Sequence, residues 1–187
     1  MDKVIRAFIA LEMPVSVKDI VQRMQNDART RFQCHISWTR PEGMHLTLKF
    51  LGDTDISLLA DLESALQAAV KGIAPLDMAV AEPGHFGGRN PRVIWLGLTT
   101  PENLFRLQKE IDQEIHKLGF PLEIRPFHPH ITLGRVKNTK GMKGMMAHLK
   151  KLPIEKISFQ VNELILFQSE LKPSGAVYTR LATILLK

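Results

Sequence analysis

A tetrad that occurs twice most constrains what this chain can fold into: His45-Leu46-Thr47-Leu48 and, 85 residues on from His45 to His130, His130-Ile131-Thr132-Leu133. Aliphatic and β-branched residues alternate with polar ones in each copy, which is the pattern of a β-strand with one face buried. Residues two apart in a strand point to the same side. His45 therefore shares a face with Thr47, and His130 with Thr132. Leu46, Leu48, Ile131 and Leu133 fall on the other face, where they would pack into a core. The surroundings repeat as well. Residues 4–11 (VIRAFIAL) read as a strand and 15–30 as an amphipathic helix before the first tetrad; 92–99 (RVIWLGLT) and 101–118 read the same way before the second. This order predicts a duplicated strand–helix–strand unit whose two His/Thr faces meet in one cleft.

The expected fold is α+β, a duplicated two-lobed arrangement with antiparallel sheets lining a central cleft and helices packed outside. A chain of 187 residues suffices for one such domain. No linker or low-complexity segment divides it, so residues 1–187 are read as one domain, with an internal pseudo-repeat in which each half carries one His-x-Thr tetrad. Hydrophobic content of 44% beside 24% charged residues is ordinary for a globular protein and gives no sign of disorder. The net charge of +6 favours an anionic partner without identifying one. Cys34 is the only cysteine, which rules out an internal disulfide and a cysteine-based zinc cluster. Its neighbour His35 would point away from it in an extended chain, so the two are not read as nucleophile and base. No apolar stretch is long enough to span a membrane and no cleavage-site pattern follows the N-terminus. The expectation is a cytoplasmic monomer with no membrane association.

The remaining segments read mainly as scaffold. Val17, Ile20, Val21 and Met24 form one helical stripe, and Leu58, Leu59, Leu62, Leu66 and Val70 another, stopped by Gly72. Gly52-Asp53-Thr54-Asp55 reads as a turn with helix-capping side chains, and 76–82 as a strand. Pro83 to Pro91 is glycine-rich, but no Gly-Lys-Ser/Thr follows, so it is read as a long hairpin connection rather than a phosphate loop, one that offers Arg89 and Arg92 to the backbone of an anionic partner. Leu104, Leu107, Ile111, Ile115 and Leu118 mark a further helix, with His116 off its stripe. Met142, Met145, Met146 and Leu149 mark a short basic one. From Glu155 onward the chain reads as strands broken by a turn at Pro173-Ser174-Gly175.

Histidine titrates near neutral pH, so a pair can serve as base on one side of a reacting phosphorus and acid on the other. Two threonine hydroxyls on the same faces can donate to phosphate oxygens that gain charge in the transition state. The residues alone leave open which histidine is acid and which base. His128 and His130 could also chelate a metal, but no carboxylate cluster or His-Glu-x-x-His helix accompanies them, so no metal and no cofactor is expected and turnover should survive chelation. His128 is read as a support for the site or its loop.

With RAFIAL at 6–11, HLTLKFLG at 45–52, RVIWLGL at 92–98, RPFHPHITLGR at 125–135 and YTRL at 178–181, the whole chain resembles the two-histidine phosphoesterases, specifically the bacterial RNA 2′,3′-cyclic phosphodiesterases also called 2′-5′ RNA ligases. The resemblance implies hydrolysis of RNA or nucleoside 2′,3′-cyclic phosphate ends to 2′-phosphates, with His130 as base toward water and His45 protonating the departing 3′ oxygen. Reversible 2′-5′ ligation is the secondary activity it implies. Beside Thr47 and Thr132, read from their strand faces as phosphate contacts, it points to Phe50 and Arg135 as contacts to nucleoside or phosphate. Strand parity places Phe50 and Arg135 opposite the histidines, so a strand end, twist or bulge must redirect them; otherwise Phe50 belongs to the core and Arg135 to a surface pair. Lys49 has the favourable parity and is expected at the cleft rim. The expected partners are RNA with 2′,3′-cyclic phosphate ends, of which tRNA fragments are one candidate source, or cyclic nucleotides. The alternative is a nucleotide- or RNA-binding module of the same fold that does not turn over.

Overall fold

The computed structural model describes residues 3–155, 157–173 and 175–187. Its strands are β1 (Val4–Glu12), β2 (Ile36–Trp38), β3 (His45–Asp55), β4 (Leu76–Phe86), β5 (Val93–Thr99), β6 (His130–Val136), β7 (Ser158–Val161), β8 (Glu163–Lys172) and β9 (Gly175–Leu185). The α-helices are α1 (Val15–Arg31), α2 (Leu59–Ala69), α3 (Glu102–His116) and α4 (Met142–Leu149). The predicted helical stripes are the buried faces: Val17, Ile20, Val21 and Met24 in α1, and Leu104, Leu107, Ile111 and Ile115 in α3. Met142, Met145, Met146 and Leu149 are likewise the buried side of α4. None of the described helices is long and apolar enough to cross a membrane.

The strands form two antiparallel sheets, one ordered β3-β1-β8-β9 and the other β2-β6-β5-β4-β7. This is the expected α+β class, but neither sheet comes from one half of the sequence. β8 and β9 return to extend the sheet begun by β1 and β3, while β4 pairs with β5 and β2 takes the outer side of β6. The helices are shared in the same way. α3 packs on β3 and α2, and α1 lies against α4, which covers β4. The main apolar core runs through both layers, with Ile9, Leu46, Leu96, Ile131 and Leu133 all fully buried, and Phe8, Ala10, Ile165 and Phe167 form a smaller second cluster.

Two expected turns are strand instead. Residues 52–55 complete β3 because Gly52, Asp53, Thr54 and Asp55 pair with Ala7 back to Val4, with Gly52 at φ 72°; only Asp55 caps, accepting from the Ser57 backbone N–H. Pro83 to Phe86 likewise continue β4 against β5, so the hairpin connection is shorter than the glycine and proline content suggests. Pro83 is accommodated at a break in register between Val80 and Pro83. The expected turn at 173–175 falls between β8 and β9, with Ser174 outside the described residues.

Candidate active site

The two sheets meet through β3 and β6, and each of these strands carries one tetrad. Their pairing with β1 and β5 follows one pattern. Glu12 is opposite His45, Leu11 opposite Leu46 and Ala10 opposite Thr47; Gly97, Leu96 and Trp95 stand opposite His130, Ile131 and Thr132. Each register then slips by one residue, at Leu48 between Thr47 and Lys49 and at Leu133 between Thr132 and Gly134. A bulge of this kind reverses the alternation that follows it. Phe50 and Arg135, on the wrong parity for a regular strand, are thereby turned to the face of the histidines.

The reversal also corrects the expectation for Lys49. Instead of reaching the cleft rim it is 6% exposed, with Nζ paired to the Asp112 carboxylate of α3 and donating to the Pro121 carbonyl at 2.8 Å. Asp112 in turn accepts from the Glu123 backbone N–H at 3.2 Å, so one buried ion pair ties β3 and α3 to the segment leading into His130.

His45, Thr47, Phe50, His130, Thr132 and Arg135 all line one cavity of about 430 Å³. The other lining residues include Arg6, Thr39, Ser169, Leu171 and Tyr178, and among the described residues no Asp or Glu lines the cavity. Arginine, imidazole and hydroxyl donors without an opposing carboxylate make a site for an anion. Phe50 stands 63% exposed at its mouth, which excludes a core role for that ring.

Each imidazole rests among aromatic rings. His45 lies 4.8 Å from Phe8, 5.4 Å from Tyr178 edge-on and 6.1 Å from Phe167, centroid to centroid. His130 meets Phe86 edge-on at 4.9 Å. Trp95, 6.3 Å from His130, lies across Gly84, where a Cβ would come within 2.2 Å of the indole. Burial holds both imidazoles below their ordinary range. It pushes His45 down to about 4, with the nearby Glu12 carboxylate opposing and the charges of Lys18 and His130 adding to the shift. His130 is also lowered by burial, opposed by its Nδ1 hydrogen bond to the His128 carbonyl at 2.7 Å. Glu12 reaches the His45 end of the sheet already paired with Lys18 at 2.8 Å and with Arg180.

His128 thus supports the site through its backbone, while its exposed ring packs 4.7 Å from Trp95. The His128 and His130 ring centroids are 6.3 Å apart, and no group of three His, Cys, Asp or Glu side chains suited to a metal occurs among the described residues. Tyr178, Ser169, Thr39 and Arg6 were not legible as site residues. They come from separate strands and loops; Arg6 and Tyr178 open the phrases RAFIAL and YTRL, but nothing in either phrase marks them as site residues.

A cleft with one His-x-Thr pair from each of two facing sheets defines a two-histidine phosphoesterase. Residues 14–173 match the family model described as the 2′-5′ RNA ligase superfamily, and the chain belongs to that family. It is 34% identical to the RNA 2′,3′-cyclic phosphodiesterase of Methanothermobacter thermautotrophicus, over 94% of this chain and 95% of that one. It is 33% identical to the protein of the same name from Bacillus subtilis, over 89% of each. Among solved structures, TT0787 of Thermus thermophilus superposes with a TM-score of 0.80 at 27% identity, over 97% of both chains. E. coli LigT complexed with 3′-AMP superposes with a TM-score of 0.72 at 25% identity, over 98% of this chain and 99% of LigT.

Proposed function

We propose that the protein hydrolyses 2′,3′-cyclic phosphate ends of RNA, or nucleoside 2′,3′-cyclic phosphates, to 2′-phosphates. The observation that carries this reading is the convergence of both His-x-Thr pairs on one cleft with Arg6 and Arg135 and, among the described residues, no carboxylate. The names of the Methanothermobacter and Bacillus relatives support the substrate class.

His130 is the base. The His128 carbonyl can only accept, so in the neutral ring Nδ1 carries the hydrogen and the Nε2 lone pair is free to take a proton from water. The water oxygen bonds to phosphorus as the P–O3′ bond breaks in line with it, and His45 delivers its proton to the departing O3′. The product is a 2′-phosphate with a free 3′-hydroxyl, and proton exchange with solvent resets both rings. Thr47 and Thr132 donate to the non-bridging oxygens, where charge builds. Arg135 binds the phosphate and Phe50 offers a ring to the nucleoside. Burial leaves His45 neutral in the free protein, so the anionic substrate itself brings the proton affinity that the acid role requires. With a 5′-hydroxyl in place of water, the same groups form a 2′-5′ phosphodiester.

Incubating the protein with adenosine 2′,3′-cyclic phosphate and separating the products by chromatography tests the proposal. Conversion to adenosine monophosphate is expected; retention of the ligand without conversion would make the protein a binding module.

A further inference from the structure

The bulge at Leu133 decides whether Arg135 faces the cleft, and a buried side chain outside the cleft lining holds that bulge. Gln25, in the middle of α1, is 3% exposed, one of few polar residues in the core. Its Nε2 donates to the Leu133 carbonyl at 2.9 Å and to the Thr39 carbonyl at 2.8 Å, which uses both amide hydrogens. The Leu133 carbonyl also accepts from the Thr39 backbone N–H at 2.9 Å. Thr39 itself lines the cleft.

The Leu133 carbonyl already holds the Thr39 N–H, so the Gln25 amide adds a second donor to that carbonyl and a first side-chain donor to the Thr39 carbonyl. One buried amide thereby clamps the bulged residue of β6 to the cleft-lining segment after β2, and losing it would leave buried acceptors short of a partner. We infer that Gln25 is a positioning residue for phosphate binding: it fixes the Leu133 bulge and so keeps the Arg135 guanidinium aimed at the anion. The inference rests on the phosphodiesterase reading above. The other half of the site is secured by different chemistry, since Lys49, just past the Leu48 bulge, is anchored to Asp112 and the Pro121 carbonyl.

The test is a set of double-mutant cycles on hydrolysis of a nucleoside 2′,3′-cyclic phosphate. Gln25→Met keeps the length and apolar packing of the side chain but removes both donors. It is expected to raise KM about tenfold with a smaller effect on kcat, because binding through Arg135 is what it disturbs. In an Arg135→Ala background the same change should move KM less than about twofold, and in a Thr47→Ala background, on the opposite sheet, by nearly the full amount. Equal factors in all three backgrounds, or a loss confined to kcat, would overturn the inference. Should Gln25→Met not fold, Gln25→Asn, which keeps a buried amide but draws it back by one methylene, is put through the same cycles with the same criteria. No turnover by the unsubstituted protein would instead overturn the phosphodiesterase reading.

Discussion

The carbonyl of His128 fixes the tautomer of His130 through a 2.7 Å hydrogen bond, whereas the His45 ring is held by Phe8, Phe167 and Tyr178. Two residues that are equivalent in sequence therefore sit in unequal surroundings. The backbone carbonyl favours a protonated Nδ1 and leaves Nε2 as the site that exchanges a proton with the cleft. Burial among those rings strips water from His45 and disfavours its charged form.

That inequality predicts the pH behaviour. Histidine-selective NMR of the free protein should show His45 titrating near 4 and His130 below the ordinary value of 6.5. Adding inorganic phosphate should raise the His45 value, since an anion favours imidazolium. The optimum of kcat, which reports the complex, should accordingly lie at higher pH than that of kcat/KM, which reports the free enzyme. Stability carries the matching sign: with folded-state values depressed, the unfolded chain binds more protons, so stability falls as pH drops below about 6.5 toward 4. Urea denaturation at pH 7 and pH 5 should show a smaller loss for His45→Gln than for the unsubstituted protein.

Both histidines line the cleft rather than the core, so His45→Ala and His130→Ala should each remove most turnover and leave a folded protein. The expected losses are about 100- to 10,000-fold, the range of positioned acid–base catalysis. Thr47→Ala and Thr132→Ala should cost on the order of 10- to 1000-fold. Rates measured beside far-ultraviolet circular dichroism separate the two effects, and near-normal turnover in either histidine variant would contradict the paired mechanism.

The buried pair of Lys49 and Asp112 should behave asymmetrically on substitution. Asp112→Ala strands the Lys49 ammonium, leaving it the Pro121 carbonyl at 2.8 Å, and should lower unfolding free energy by about 3–5 kcal/mol. Lys49→Met together with Asp112→Leu removes both charges and should cost much less. Denaturant midpoints measure both, and equal losses would mean the pair is already solvated.

Gly84 gives the indole of Trp95 its resting place. A Cβ there would stand 2.2 Å from the ring, too close for either group to remain in position. Gly84→Ala should therefore destabilise the fold by roughly 1–3 kcal/mol as Trp95 is displaced. Because Trp95 packs against Phe86 at 5.4 Å and His128 at 4.7 Å, a red shift of tryptophan emission and reduced turnover should accompany the loss. Unchanged emission would count against the packing described.

The tetrads made the two pairs legible because a histidine and a threonine two apart on a strand leave no ambiguity of face. Their buried partners Leu46, Leu48, Ile131 and Leu133 lie on the core side, as the alternation required. The bulges escaped because a slip in register is a property of two strands, and neither Leu48 nor Leu133 differs in type from a regular strand residue. Parity alone therefore sent Lys49 to the rim, although it also required some irregularity if Phe50 and Arg135 were to face the cleft. The exchange of strands between the halves was equally hidden. β8 is far from β1 in sequence, and no local pattern states which edge it joins.

The proposed acid and base roles predict one last outcome. His45 and His130 enter the cleft from different sheets, on β3 and β6, so on the proposed mechanism a bound phosphate would have one imidazole toward the attacking oxygen and the other toward the leaving oxygen. The two candidate leaving oxygens of a 2′,3′-cyclic phosphate are attached to neighbouring carbons of one ribose. Selecting between them requires the nucleoside to dock in one orientation, and the cleft is asymmetric in the right way: Phe50 extends from β3 at the mouth, whereas its counterpart on β6 is the cation Arg135. A base stacked on Phe50 with the phosphate drawn toward Arg135 holds the ribose in a single sense. With His45 facing O3′, ring opening yields the 2′-phosphate alone. Phosphorus NMR of the product from adenosine 2′,3′-cyclic phosphate should show that one isomer; a mixture would contradict fixed docking, and pure 3′-phosphate would mean that His45 protonates O2′.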